Sequence, residues 1–255
     1  MELRDFVDRL DDELRTDDWA DLDASPNGLQ VGTSDGEVDR VAVAVDAAVA
    51  TVEAAVAADA DVLVTHHGVV FGGLDRVTGR EYDRLAPLVE ADLPLYVSHL
   101  PLDGHQTLGN AAGLGDFLGL TDDRDPFGEL GPEHVGQRGR FETAQSPETV
   151  RDRLDELDQG PRSTRHLDFG PDRIEEVAVV TGSGVDWLDE AVAAGADALV
   201  TGEGKQQAYH EAREAGVHVY LAGHYATEVF GVRRLAERAA EWGLETTVLD
   251  HPTGL

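Results

Sequence analysis

The chain has 255 residues, enough for one or two domains with a sizeable core, so no disulfide or structural metal is needed merely to fold it. Its 51 acidic and 20 basic residues give a formal charge of -31, which argues against a nucleic-acid coat or a protein that lies on an anionic membrane. The absence of cysteine excludes disulfides, thiol nucleophiles, iron–sulfur clusters and every cysteine-based zinc site, which leaves His, Asp and Glu as metal ligands.

Leu3, Phe6, Val7, Leu10 and Leu14 recur at helical spacing and predict an amphipathic first helix. Ser25-Pro26-Asn27-Gly28 is a turn signal before a short strand at Leu29-Gln30-Val31. Val41 to Val45 and Asp61 to Val64 read as buried parallel strands joined by a helix from Ala47 to Ala58. A further strand is expected at Leu95 to Val97. Asp122 to Pro132, rich in Asp, Gly and Pro, reads as an irregular crossing between domains. Beyond it come a strand at Arg138 to Ala144, a helix at Pro147 to Leu157 capped by Ser146, and a strand at Ile174 to Thr181. A helical stripe at Phe230, Val232, Leu235 and Ala239 precedes a last strand, Glu245 to Leu249, which has no mate in the second half and is expected to return to the first sheet.

An internal repeat organises the chain. Residues 55–68 laid over 191–204 without a gap agree at ten of fourteen positions, six of them not alanine. Tyr96-Val97-Ser98-His99 resembles Tyr220-Leu221-Ala222-Gly223-His224 with one residue inserted, and each histidine is followed four places on by an acid, Asp103 or Glu228. The expected fold class is α/β, with a first domain of residues 1–122 plus 229–255 and a second of 123–228.

Neighbouring side chains on a strand face opposite ways, so His66 and His67 are expected just past the strand ending at Val64 if they are to converge. That is the carboxyl end of a parallel sheet, where open α/β folds bind ligands. His99, Asp103 and His105 leave the end of another strand, and His224 and Glu228 stand a helical turn apart in the second half. Taken singly, each has a bland reading as a turn residue or helix-terminal acid. Repeated at three strand ends, they point to metal. Three histidines and two carboxylates are too many for one catalytic ion with an open position, so two divalent ions such as zinc, iron or manganese are the economical reading, and a hydrolase is the expected class.

The segments Pro26-Asn27-Gly28-Leu29-Gln30-Val31, Thr65-His66-His67-Gly68, His99-Leu100-Pro101-Leu102-Asp103 with Leu108-Gly109-Asn110, and Thr201-Gly202-Glu203 with Ala222-Gly223-His224-Tyr225-Ala226-Thr227-Glu228 resemble the NIF-three-like dinuclear-metal family, also labelled GTP cyclohydrolase 1 type 2. The resemblance spans the whole chain. It implies two similar interlinked α/β domains, a metal pair in the cleft between them, and a toroidal homohexamer. Carried over by motif, the ligands are His66, His67, Asp103, His224 and Glu228, with His99 and Glu203 close by in catalytic or supporting roles. Glu203 holds the repeat position of His67, as a general base or as a partner that orients a ligand histidine. His105 and Asn110 match the pattern as loop-shaping residues. GTP enters as substrate only through the resemblance, because the chain has no GxxxxGK[ST] loop. Lys205, the sole lysine, stands near the site as a conceivable phosphate contact or a chance surface charge, while His166, His210, His218 and His251 read as surface or packing residues.

The alternative to an enzyme is a toroidal metal-binding scaffold that admits a nucleic acid or protein partner, with Arg138, Arg140, Arg162, Arg165, Arg233 and Arg234 lining its hole. The charged amino-terminal stretch and the interrupted apolar runs predict a cytoplasmic protein without a membrane partner. Acid-rich and lysine-poor, the chain suits molar salt, where the Debye length falls to about 3 Å, and is expected to be halophilic. Its melting temperature should therefore fall steadily as potassium chloride is diluted; a calorimetric series indifferent to salt contradicts that expectation.

Overall fold

The five apolar residues at helical spacing bury together as the inner face of α1 (Leu3–Leu14). The computed structural model describes residues 1–255 and divides into two units, residues 1–102 with 231–251 and residues 103–230 with 252–255. The chain thus leaves the first unit, builds the second, and returns. No helix is long and apolar enough to cross a membrane.

The first unit carries β1 (Gly28–Val31), β2 (Arg40–Asp46), α2 (Val49–Ala57), β3 (Val62–His67), α3 (Arg80–Glu90), β4 (Leu95–Val97) and β11 (Glu245–Val248). Its sheet order is β1-β4-β3-β2-β11, parallel throughout except for the antiparallel edge strand β1. The central strands β2, β3 and β4 are short, nearly continuous buried runs, as expected where both faces of a parallel sheet are covered, whereas the edge strands β1 and β11 are partly exposed. Ala42, Val52, Leu63, Leu88, Leu95 and Val97 form the core. The final strand does return to this sheet, beside β2.

α4 (Leu100–Gly104) leads into the second unit, which holds α5 (Asn110–Leu118), β5 (Asp125–Leu130), β6 (Glu133–Gln145), α6 (Pro147–Leu154), β7 (Arg165–Leu167), β8 (Ile174–Val179), α7 (Leu188–Ala193), β9 (Ala198–Thr201), α8 (Gln206–Ala215) and β10 (His218–Leu221). Its sheet order is β5-β6-β8-β9-β10-β7, with β8, β9 and β10 parallel and β7 an antiparallel edge. Ser146 caps α6, its Oγ accepting from Thr149 N at 3.2 Å. α9 (His224–Glu241) begins in this unit and continues into the first.

The repeat survives at the level of strand register. Val41 pairs with Val62 as Val177 pairs with Ala198, a shift of 136 on both strands, the shift that aligns residue 55 with residue 191. Tyr96 lies beside Val64 as Tyr220 lies beside Val200, and both tyrosines are fully buried. Both sheets therefore share three parallel strands flanked on one side by an antiparallel edge strand; on the other side the first sheet adds the parallel β11 and the second adds the antiparallel pair β6 and β5.

Two local expectations are corrected. The stretch from Asp122 to Pro132 is not irregular: Asp125 to Leu130 forms β5, hairpin-paired to β6 through a turn in which Gly131 has φ 60. It lies at the edge of the sheet, where Pro126 is tolerated and periodicity is weak. Nor do the paired histidines lie beyond the strand, since β3 runs through His67. Pairing with β4 ends at Thr65, so the last two residues are laddered on the β2 side alone, and their rings converge to 4.6 Å between centroids.

Close packing of helices sets one further demand. A Cβ on Gly113 of α5 would fall 2.4 Å from Cβ of Phe230, an atom too near its own backbone to swing away. Gly113→Ala should lower stability by about 1–3 kcal/mol in urea unfolding; an unchanged midpoint refutes this packing.

Candidate metal centre

In the first unit three parallel strands end side by side, and each end delivers a polar group. β2 ends on Asp46, β3 on His66 and His67, and β4 runs into Ser98 and His99. The register sets Asp46 opposite His67, and His67 Nδ1 meets Asp46 Oδ1 at 2.9 Å. His66, fully buried, places Nδ1 2.9 Å from the Ser98 carbonyl. A carbonyl only accepts, so the proton sits on Nδ1 and the lone pair on Nε2. His99 Nδ1 lies 2.9 Å from Asp23 Oδ1. A donor nitrogen from each of the three rings falls within 4.8 Å of the others.

The segment before β1 braces this group. Asp23 accepts from the backbone N–H of Ser25 and Leu100 as well as from His99, and Asn27 Oδ1 accepts from His99 N at 2.7 Å. Gln30 Oε1 takes the N–H of Val69 at 2.7 Å and of Val70 at 2.9 Å, while its Nε2 donates to Pro26 O at 3.0 Å. A Cβ on Gly68 would lie 2.4 Å from Gln30 Oε1, so the glycine lets this amide clamp the loop behind the histidine pair. The Asn27, Gln30 and Gly68 motif positions thus act on the site through backbone geometry.

The second unit repeats the plan with acids. At the start of α9, His224 Nε2 faces Glu228 Oε1 at 3.1 Å, one turn along the helix, and His224 Nδ1 faces Glu203 Oε1 at 3.2 Å. Glu203 stands just past β9 and also accepts from the Ser183 hydroxyl at 2.5 Å. Burial disfavours charge on the His224 ring, yet the two carboxylates outweigh it and raise its pKa to about 9. The Ser183 hydrogen bond, aided by His224 and opposed by burial, holds Glu203 below the usual carboxylate range. A Cβ on Gly182 would fall 2.2 Å from Glu228 Oε1. The adjacent Thr181 hydroxyl donates to Asp103 Oδ1 at 3.2 Å, and Asn110 Nδ2 donates to the same oxygen at 2.8 Å. Asn110 is therefore more than a loop residue, since it orients a predicted ligand, whereas His105 does shape its loop by accepting from Leu108 N at 2.9 Å. A cavity of about 190 Å³ beside Glu203 has Arg162 and Arg165 in its wall.

The structure thus gathers His66, His67 and His99 in one unit and His224, Glu228 and Glu203 in the other, with Asp103 joined to the latter set through the Thr181–Gly182 turn. Lys205 is engaged elsewhere, its Nζ 2.6 Å from Asp186 Oδ1. Arg138, Arg140 and Arg233 are likewise paired with Asp125, Asp123 and Asp250. Sequence reasoning missed Asp23 and Asp46. Asp46 had a signal, as the acid closing an apolar strand level with His67; Asp23 had none, being one of many acids in an acidic stretch.

Three comparisons bear on these residues. The family model Duf34/NIF3 (NGG1p interacting factor 3) matches residues 1–253. A GTP cyclohydrolase 1 type 2 homolog of Halobacterium salinarum is 55% identical, and one of Archaeoglobus fulgidus 40%, each covering 100% of both chains. Among solved structures, protein ybgI, a structural-genomics target of unknown function, superposes with a TM-score of 0.91 at 33% identity, and TTHA1606 from Thermus thermophilus with 0.89 at 38%, again over 100% of both chains.

The brace around His99 has a measurable consequence. Burial alone would raise the Asp23 carboxyl, but hydrogen bonds from His99, Asn27 and Ser25 prevail and hold it at about 2. A depressed carboxyl stabilises the fold above its ordinary pKa near 3.9 and loses that contribution as pH falls towards 2. Asp23→Asn should cost about 2 kcal/mol at neutral pH and flatten the loss of stability between about pH 4 and 2. Parallel acid unfolding curves for the two proteins would contradict it.

Proposed function

The chain belongs to the Duf34/NIF3 family, and on that premise we propose that it is a dinuclear-metal-dependent hydrolase acting on a nucleotide, akin to GTP cyclohydrolase 1 type 2. His66, His67, Asp103, His224 and Glu228 are the proposed ligands of two divalent ions. One observation carries the reading: the Nδ1 atoms of His66, His67 and His224 are each held by an oxygen acceptor, namely Ser98 O, Asp46 and Glu203. That is how imidazoles are oriented for coordination through Nε2. The donor set fits borderline divalent ions, being imidazole and carboxylate without sulfur. The two acids that keep a proton on His224 would equally favour a cation of higher charge in its place. Asp103, buried between Asn110 and Thr181, has its carboxylate orientation set before any ion arrives.

When bound, a pair of divalent ions supplies Lewis acidity and brings the pKa of a water near neutrality. The protein's own residues do the rest. Glu203 keeps the His224 ring in one tautomer and one orientation, a positioning role that its two hydrogen bonds favour over that of a free base. His99, tied to Asp23, flanks His66 with 5.1 Å between ring centroids and offers an oriented imidazole for proton transfer. Arg162 and Arg165 give the cavity beside Glu203 a cationic wall suited to a nucleotide phosphate. The relatives named GTP cyclohydrolase 1 type 2 homolog supply GTP as the first substrate to try. In the same reading the chain assembles with itself as a homohexamer, which light scattering of the purified protein measures.

The test is metal content together with turnover. A His67→Ala, His224→Ala double variant should lose two metal equivalents per chain relative to the unaltered protein, by plasma mass spectrometry, and lose GTP consumption followed by chromatography. Glu203→Gln should weaken metal binding about 10–100-fold while leaving the pH profile of the metal-saturated enzyme unchanged. Undiminished metal content in the double variant overturns the ligand assignment. A missing acidic limb in the Glu203→Gln profile would instead make Glu203 a general base.

A further inference from the structure

A second group of metal-type donors stands in the second unit, made of residues that the sequence suggested were packing histidines. His166 lies on the edge strand β7 and His218 opens β10, its neighbour in the sheet. Antiparallel register pairs His166 with Tyr220 and Leu167 with Val219, and Asp168 follows directly after the end of β7 as His218 directly precedes Val219. Residues two apart along a strand share a face, so His166 and Asp168 converge on His218 from the same side. His166 Nε2 is 3.1 Å from His218 Nδ1, His218 Nδ1 is 3.3 Å from Asp168 Oδ1, and the third separation is 4.0 Å.

Two donors bound to one zinc ion at about 2.0–2.1 Å and tetrahedral angles lie about 3.3 Å from each other. Two of the three separations match that value. The third closes with a small movement of Asp168, whose side chain is 71% exposed and able to make it. The tautomer of His218 is set as well: its Nε2 lies 2.9 Å from the Pro171 carbonyl, so Nε2 carries the proton and Nδ1 the lone pair. The loop reaches this position because residue 170 is glycine, where a Cβ would fall 2.5 Å from His218 Cδ2. His166 is stacked on Tyr220 at 4.3 Å with 9° between the rings, which fixes its plane.

We propose that His166 Nε2, His218 Nδ1 and Asp168 Oδ1 form a separate mononuclear site for a zinc-class divalent ion, with water completing the tetrahedron on the exposed side. The ion would staple β7 and the loop after it to β10. The competing arrangement is a hydrogen-bonded cluster in which His166 Nε2–H donates to His218 Nδ1, with Gly170 N–H approaching the same atom at 3.3 Å. This site is independent of the proposed dinuclear centre, because it shares no residue with it.

Zinc distinguishes the two arrangements. Full-length protein stripped with chelator and re-equilibrated with zinc chloride should hold one more equivalent per chain than Asp168→Asn or His166→Gln. The difference should persist in the His67→Ala, His224→Ala background. Competition against a chromophoric chelator should show zinc binding at this site weakened by more than about tenfold in Asp168→Asn. Asp168 is exposed, so its zinc-free variant should melt where the unaltered zinc-free protein does, which separates ligand loss from misfolding. Equal zinc content and affinity in Asp168→Asn, or a zinc-soaked crystal without an anomalous peak among the three side chains, overturns the proposal in favour of the hydrogen-bonded cluster.

Discussion

An imidazole is useful to a metal only if one nitrogen points at it with a lone pair, and the other nitrogen decides whether it does. In this protein that second nitrogen is engaged in each of the four rings His66, His67, His99 and His224. Ser98 O, Asp46, Asp23 and Glu203 take the Nδ1 atoms of His66, His67, His99 and His224. Those acceptors come from a strand end, a neighbouring strand, a loop before the sheet and a segment after one. Much of the fold around each donor set is devoted to holding these four oxygens still.

The duplication explains how two units built alike acquire different chemistry. Register equates Asp46 with Gly182 and His67 with Glu203. In the first unit the strand ends themselves carry the imidazoles. In the second the strand ends withdraw: glycine stands at 182 and 202, and the donors arrive from α9 instead. Glu228 needs that withdrawal, because its carboxylate lies where a side chain on residue 182 would begin. Loss of a side chain on one element and gain of a carboxylate on another are thus one structural change.

Surface charge and site charge obey different rules. Exposed pairs such as Arg138 with Asp125 and Arg140 with Asp123 contribute at most about 1 kcal/mol each and are screened by salt. Asp23, whose side chain is 1% exposed, is different, since solvent does not compete for its hydrogen bonds. A composition dominated by acids therefore obscures the few that matter. Of 51 acidic residues, those with structural or chemical work are marked by burial and donors rather than by their type.

The amino-acid order by itself determined the α/β class, the repeat, the return of the last strand to the first sheet, and the histidines and acids that stand at strand ends. Those features rest on periodicity and on short contiguous motifs, which are local along the chain. It misjudged β5, because edge strands lack the two-sided burial that writes a continuous apolar run, and it placed the His66–His67 pair one step too late. Only the tertiary structure decided that Asp23 and Asp46 support His99 and His67, that Asn110 grips Asp103, and that His166, Asp168 and His218 meet. Most of these are contacts between segments far apart in sequence or across a sheet register, and the Asn110–Asp103 bond depends on the turn between two helices; hydrogen-bond geometry of either kind leaves no periodic trace in the chain.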